Sequence, residues 1–350
     1  MPHCHTKTIE NLDLKRARHA MRVYRPRAAP RAWAYGHCGE LVQGPVADAG
    51  GGIEVGLVSL RANLYRACAE FRPDGSGRLR VLPETKAKAL AAAGLLLDHL
   101  GVGLSGTLTI RNPAPEGIGF GTSTMDVTAA MSCVRNVIGA QVDPGILGRI
   151  AVAAEAASDP LMFPEQGAAV LWGPRCGKLL ETFPGPVPRA MYVAVNAGLG
   201  GETVDTCRLA RGQRFTEADV DPFRLALARL RHAIAHQDVR ALGEASTFSA
   251  ALNQKQLNLP RFDAYLDHGR QAGSSGLAIS HSGYLVAFLY EPADPDLEVK
   301  VNELIQRLGG LGHREVYAFQ SPNHPEERGH AVHHWDFLPR EPDAVDPAPG

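Results

Sequence analysis

Between a strand-like segment and a helix-like one the chain reads Gly117-Ile118-Gly119-Phe120-Gly121-Thr122-Ser123-Thr124, alternating glycines followed by a run of hydroxyls. Few folds have a use for such a loop. Upstream, Thr107-Leu108-Thr109-Ile110 alternates as a strand does and Pro113 and Pro115 end it; downstream, Met125 to Ile138 carries a helical pattern. A glycine-rich turn that opens a helix aims backbone N–H groups and the positive end of the helix dipole at one point, where phosphate is the usual occupant. The hydroxyls of Thr122, Ser123 and Thr124 add donors for phosphate oxygens and oxygen ligands for Mg²⁺, which favours a nucleoside triphosphate over a dinucleotide. Taken alone, the same residues also describe a tight turn with a hydroxyl-capped helix. Two familiar phosphate patterns match poorly. No lysine lies between Gly117 and Asp126, as a Walker loop requires, and the glycines are spaced by two, unlike G-x-G-x-x-G.

Around this loop, strands and helices interleave without a solenoid repeat, which predicts an α/β or α+β fold. A strand-rich opening runs from Trp33 to Glu70, broken at Gly50-Gly51-Gly52; Arg78 to Leu82 reads as a strand and Lys86 to His99 as a helix. Asp143-Pro144 is a helix cap and first-turn pair, and the helix it starts carries Glu155 near its end, before Ser158-Asp159-Pro160. Strands at Ala168–Trp172 and Met191–Asn196 follow, then long helices from Pro222 onward. Gly276 to Tyr290 reads as two strands joined by His281-Ser282-Gly283, followed by a helix at Leu297–Leu308 and a strand at Glu315–Phe319. The expected boundaries are a basic arm at 1–31, an ATP-binding domain at 32–185, a second domain at 186–338 and a tail at 339–350, the main break falling at Phe183-Pro184-Gly185-Pro186.

Three segments, taken in order, carry a resemblance: Gly36-His37-Cys38-Gly39-Glu40-Leu41-Val42-Gln43-Gly44, then Pro115 to Thr124, then Ser280-His281-Ser282-Gly283. They resemble the three motifs of the GHMP kinases, and within that family the chain is most similar to the L-threonine kinases of cobalamin biosynthesis. Further cues are Asp126, three residues after Ser123, and the segment from Glu155 to Phe163. The resemblance spans Trp33 to Tyr290 and implies a two-domain α/β fold with the active site between the domains. It implies ATP held by Pro115, Gly117, Gly119, Phe120, Gly121, Thr122, Ser123 and Thr124, with Ser282 and Gly283 supporting that loop. It also implies Mg²⁺ on Ser123 and Glu155, and Asp159 beside the acceptor hydroxyl as the carboxylate that accepts its proton, the plainer reading of Asp159 being a turn residue that ends the helix before Pro160. The threonine kinases place their Glu and Asp three residues apart, whereas Glu155 and Asp159 are four apart, so which acid stands at the chemistry stays open. Glu40 reads equally as an ammonium-binding group or as a fixture of its turn. Gln43, Thr203, Asp205 and His281 are the other expected substrate contacts, and Cys38 reads as a packed residue.

The implied function is an ATP-dependent kinase for a hydroxy amino acid or amino alcohol, L-threonine first; the alternative is a GHMP-fold sensor that binds nucleotide without turnover. The 36 Lys and Arg against 37 Asp and Glu leave a net charge of -1, so neither nucleic acid nor an anionic membrane is an expected partner. The six cysteines show no C-x-x-C pair, which favours free thiols and a cytoplasmic location. A homodimer is the possible assembly. The eight basic residues before Ala32 read as a solvated extension, and His330, His333 and His334 lack metal-site spacing.

Overall fold

The computed structural model describes residues 30–47, 52–164, 167–198, 215–281 and 284–321. Thr203, Asp205, Ser282, Gly283, most of the basic arm and the His-rich tail lie outside them. In chain order the elements are β1 (Arg31–Ala47), β2 (Ile53–Pro73), β3 (Leu79–Leu82), α1 (Ala87–Leu100), β4 (Gly106–Arg111), α2 (Thr122–Ile138), α3 (Pro144–Glu155), β5 (Val170–Gly173) and β6 (Lys178–Thr182). Then come β7 (Ala190–Asn196), α4 (Glu217–His236), α5 (Val239–Leu257), α6 (Phe262–Gln271), β8 (Gly276–Ile279), β9 (Leu285–Tyr290), α7 (Leu297–Gly310) and β10 (Tyr317–Ser321). The α/β expectation holds.

The strands form one sheet in the order β10-β7-β9-β8-β1-β2-β4-β3, with β5 against β2 and β6 against β5. Neighbours are antiparallel except β3 and β4. Helices cover it in three groups. In the first, α1, α2 and α3 pack with β2 and β4 through Leu96, Leu108, Val127, Val134 and Ile150. In the second, α4 and α5 pack on β1 and its neighbours through Leu41, Leu60, Phe223, Leu230 and Leu242. In the third, α6 and α7 pack with β7 to β9 through Val193, Tyr265, Leu304 and Phe288. β9 shows why its sequence is uninterrupted Leu-Val-Ala-Phe-Leu-Tyr: Leu285, Ala287 and Leu289 enter the second core, while Val286, Phe288 and Tyr290 enter the third. A strand covered on both faces needs no polar alternation. Burying a side chain of this size contributes about 2 kcal/mol.

Two helix starts differ from the sequence reading. α2 begins at Thr122 rather than Met125, because first-turn N–H groups need no intrahelical partner and hydroxyl residues are tolerated there. α4 begins at Glu217, ahead of Pro222, because Thr216 and Asp219 form a reciprocal capping box. α3 starts as expected: the Asp143 carboxylate accepts from the N–H groups of Gly145 (2.9 Å) and Ile146 (3.3 Å), with Pro144 in the first turn.

α3 ends on Ala156, which takes φ 68°. That left-handed turn reverses the chain so that Asp159 returns toward the site occupied by Glu155. For a residue with a Cβ it costs about 1 kcal/mol. Ala156→Gly should therefore stabilise the protein, by somewhat less than that after the added freedom of the unfolded chain is counted, raising Tm by about 1–2 °C. A lowered Tm would show that Ala156 is not strained.

Candidate active site

β1 and α2 meet at the loop. The peptide N–H of His37 donates to the Phe120 carbonyl (3.3 Å). Gly121, at φ 70°, starts α2 with no side-chain cap, and Met125 N–H closes the first helical bond to its carbonyl at 2.8 Å. The hydroxyls that follow do not cap the helix, as the blander reading of the loop had it. Thr122 Oγ1 donates to Pro115 O (3.2 Å) and ties the loop's two ends together. Ser123 Oγ donates to Glu155 Oε2 at 2.6 Å, and Thr124 Oγ1 lies 2.9 Å from Glu155 Oε1 and 3.4 Å from Asp159 Oδ2. The N–H groups of the first turn are thus not taken up by side-chain caps.

Glu155 and Asp159 therefore converge on one hydroxyl, both buried, although they are four residues apart in sequence. Their electrostatic settings are opposite. Burial raises the Glu155 pKa, only partly offset by hydrogen bonds from Ser123, Ser158 and Thr124. Burial also works against the Asp159 carboxylate, but His37, with His281 and Thr124, more than offsets it and holds the pKa well below the usual carboxylate range. His37 Nε2 lies 3.1 Å from Asp159 Oδ2. Burial pulls the His37 pKa down, yet Asp159 and Glu40 overcome this and raise it to about 9.

Glu40 is enclosed on both sides: His281 Nδ1 is 2.8 Å from Oε1 and His37 Nδ1 is 3.7 Å from Oε2. The His281 side chain is 30% exposed and that of Glu40 not at all, so Glu40 acts on its surroundings through the two histidines that enclose it. Gly39 makes this approach feasible. At φ 85° it has no Cβ to strike Ile279 and Ser280, beside His281. Gln43 is not among the residues that touch the acids. Its Nε2 donates to Ile279 O (3.4 Å), and its main chain is held by Ser249 and Asn253 of α5. Cys38 is fully buried and its thiol pKa is pushed up by burial, as a packed residue's would be. Cys38, Cys68, Cys133 and Cys176 are free thiols. No helix among the described residues is long and apolar enough to cross a membrane.

Four contributors escaped the sequence reading. His37 had been quoted only as part of a motif. Lys86, from the turn before α1, stands at the loop's mouth, with Nζ 2.8 Å from Asp126 Oδ2 and 3.0 Å from Glu116 Oε1. Asn112 completes this tie through Asp126 Oδ1 (2.8 Å) and Thr122 O (3.1 Å), which accounts for an acid at position 126. Arg61, opposite His37 in the β1–β2 register, donates to Pro160 O at 3.1 Å and steadies the turn that carries Asp159.

No family model matches the chain. Two curated proteins do. It is 22% identical over 196 residues to an L-threonine kinase of Citrobacter freundii, covering 55% of this chain and 64% of that protein. It is 24% identical over 193 residues to an L-threonine kinase of Salmonella typhimurium, covering 54% and 61%. The matched region thus spans less than two thirds of either relative's length. Among solved structures it is similar to homoserine kinase from Cytophaga hutchinsonii, with a TM-score of 0.60 and 14% identity over 85% of this chain and 96% of that one. Mevalonate kinase from Methanococcus jannaschii gives 0.59 and 14%, over 85% and 100%. The chain has the fold of the GHMP kinase superfamily. Its curated relatives, on the matched region, are the L-threonine kinases.

Proposed function

We propose that this chain is an ATP- and Mg²⁺-dependent kinase that moves the γ-phosphoryl group to the hydroxyl of a small molecule, with L-threonine the first choice and O-phospho-L-threonine for the cobalamin aminopropanol linker its product. The observation that carries the reading is the convergence of Glu155 and Asp159 on Thr124, with Ser123 on Glu155, where the glycine loop opens α2. Phosphoryl transfer asks a protein mainly to position the reactants and neutralise charge, and this site is built for both. Its residues fit Mg²⁺. Glu155 is a buried carboxylate surrounded by hydroxyls, and no ion pair among the described residues involves it. Hard oxygen donors lacking a protein cation are what that ion takes. Ser123 and Glu155 would hold it, and it would supply charge neutralisation on the phosphates. Lys86 adds a protein cation beside the loop.

The acceptor is read from the curated relatives, with homoserine and mevalonate, named for the structural neighbours, as the competing acceptors. ADP release measured over L-threonine, L-serine, homoserine, mevalonate and amino alcohols should be fastest with L-threonine. Turnover with another acceptor alone would keep the kinase and replace its substrate. ATP binding with no turnover on any of them would favour the sensor.

Ser123→Ala removes one hydroxyl from the site and little volume. The expected result is a loss of about a hundredfold in kcat, on the order of 3 kcal/mol in the barrier, with Tm nearly unchanged. Wild-type kcat in this variant would remove Ser123 from the site.

A further inference from the structure

The kinase reading gives no task to the imidazole at the centre of the site. His37 is fully buried, and two different parts of the molecule, the loop at Phe120-Gly121 and the turn at Asp159, rest on it. Its N–H holds the phosphate loop at Phe120 O. Its ring lies over Gly121, where an added Cβ would come within 2.7 Å of Nε2 and 3.4 Å of Asp159 Oδ2. Its Nε2 is 3.1 Å from that Asp159 oxygen. We infer that His37 is the positioning residue of this site, locking Asp159 to the phosphate loop so that the carboxylate and the γ-phosphate are held in one fixed geometry. The inference rests on the phosphoryl-transfer reading, because it is through Asp159 that His37 acts.

The surroundings favour this over two plainer accounts. His37, Glu40 and Asp159 are close enough together to hold a metal ion. Here the ring itself supplies the positive charge that the two acids face: Asp159 Oδ2 meets Nε2 directly at 3.1 Å, and Glu40 Oε2 lies 3.7 Å from Nδ1. A histidine serving only to fill the core would be ringed by apolar groups, whereas this ring is bracketed by two buried carboxylates. The chain of ion pairs continues from Glu40 to His281, whose ring lies 6.1 Å from that of His37 at an interplanar angle of 20°. The charged and titratable groups around His37 are thus Glu40 on its own strand, Arg61 opposite on β2, Asp159 after α3 and His281 after β8. His281 is the partly exposed end of this chain, and Asp159 the end at the hydroxyls of α2.

A double-mutant cycle with a spectroscopic arm tests it. His37→Phe fills the volume and makes no hydrogen bond, while His37→Gln returns a donor near the position of Nε2. The expected kcat losses are about a hundredfold for His37→Phe and about tenfold for His37→Gln, with KM for ATP within about threefold of wild type, since a carboxylate displaced by 1 Å costs on this order. In an Asp159→Asn background His37→Gln should cost less than threefold more. Independent, multiplicative losses would overturn the inference, as would wild-type kcat in His37→Phe. In protein labelled with ¹⁵N-histidine, the His37 ring should carry protons on both nitrogens at pH 7.5 and shift on Asp159→Asn. This arm needs no turnover. A neutral His37 insensitive to that substitution overturns the inference even if the kinase is active, and it reads the His37–Asp159 pair if a loss of all turnover sinks the kinase reading.

Discussion

Asp159→Asn should lower kcat by about 10²- to 10⁴-fold while leaving KM for ATP within about twofold. The amide keeps the shape of the side chain and a hydrogen-bonding oxygen, so the nucleotide loop has no reason to move. What disappears is the charge. Asp159 is held ionised well below the ordinary range by His37, so it has little tendency to keep a proton. In the proposed reaction it would serve better as an acceptor that orients the attacking hydroxyl and balances positive charge than as a base that stores the proton. On that account the proton leaves late, with the phosphoryl group already in transfer. Titrating Mg²⁺ separates the roles: a rate restored by extra metal would make Asp159 a ligand, and a defect that persists at saturating metal places it on the hydroxyl. If Asp159→Asn is nearly silent and Glu155→Gln is dead, Glu155 is the acid nearest the chemistry.

Gly121→Ala should be comparably damaging, at least about a thousandfold in kcat, and should also weaken ADP binding. Two independent causes act together. The backbone there is at φ 70°, a conformation that costs a residue with a Cβ about 1–2 kcal/mol. The new methyl would also be driven into the His37 ring, within 2.7 Å of Nε2. Relieving that overlap moves the ring, the Asp159 carboxylate or the loop, and each belongs to the site. Isothermal titration with ADP and steady-state kinetics on the folded variant check this. Near-normal nucleotide affinity and turnover would show that the loop is not held against His37.

The loop and its flanking strand and helix were legible because each is a local pattern: glycines, hydroxyls and a periodic apolar run within about thirty residues. The Asp143-Pro144 cap was legible for the same reason. β6 was not, since Lys178-Leu179-Leu180-Glu181-Thr182 shows no alternation, packs on a core through Leu180 while Leu179 stays exposed, and is defined by pairing with β5. The connections that turn these parts into a site were hidden by distance along the chain. His37 and Asp159 are 122 residues apart, and Glu40 and His281 are 241 apart. No spacing rule reaches across such separations. The motif containing His37 was visible, but the task of its imidazole depends on a turn at Ala156 whose left-handed conformation its sequence does not advertise. Lys86 was hidden in the same way: a lysine was sought inside the loop, and the fold delivers one from the turn before α1.

Phosphoryl transfer at this site is tested most directly by ³¹P NMR of the protein incubated with ATP, Mg²⁺ and L-threonine. The account predicts a new phosphomonoester resonance that grows in step with ADP, depends on Mg²⁺ and is nearly absent with Asp159→Asn. ATP left intact, or split to ADP and inorganic phosphate with no phosphomonoester formed from any hydroxyl acceptor supplied, would contradict it.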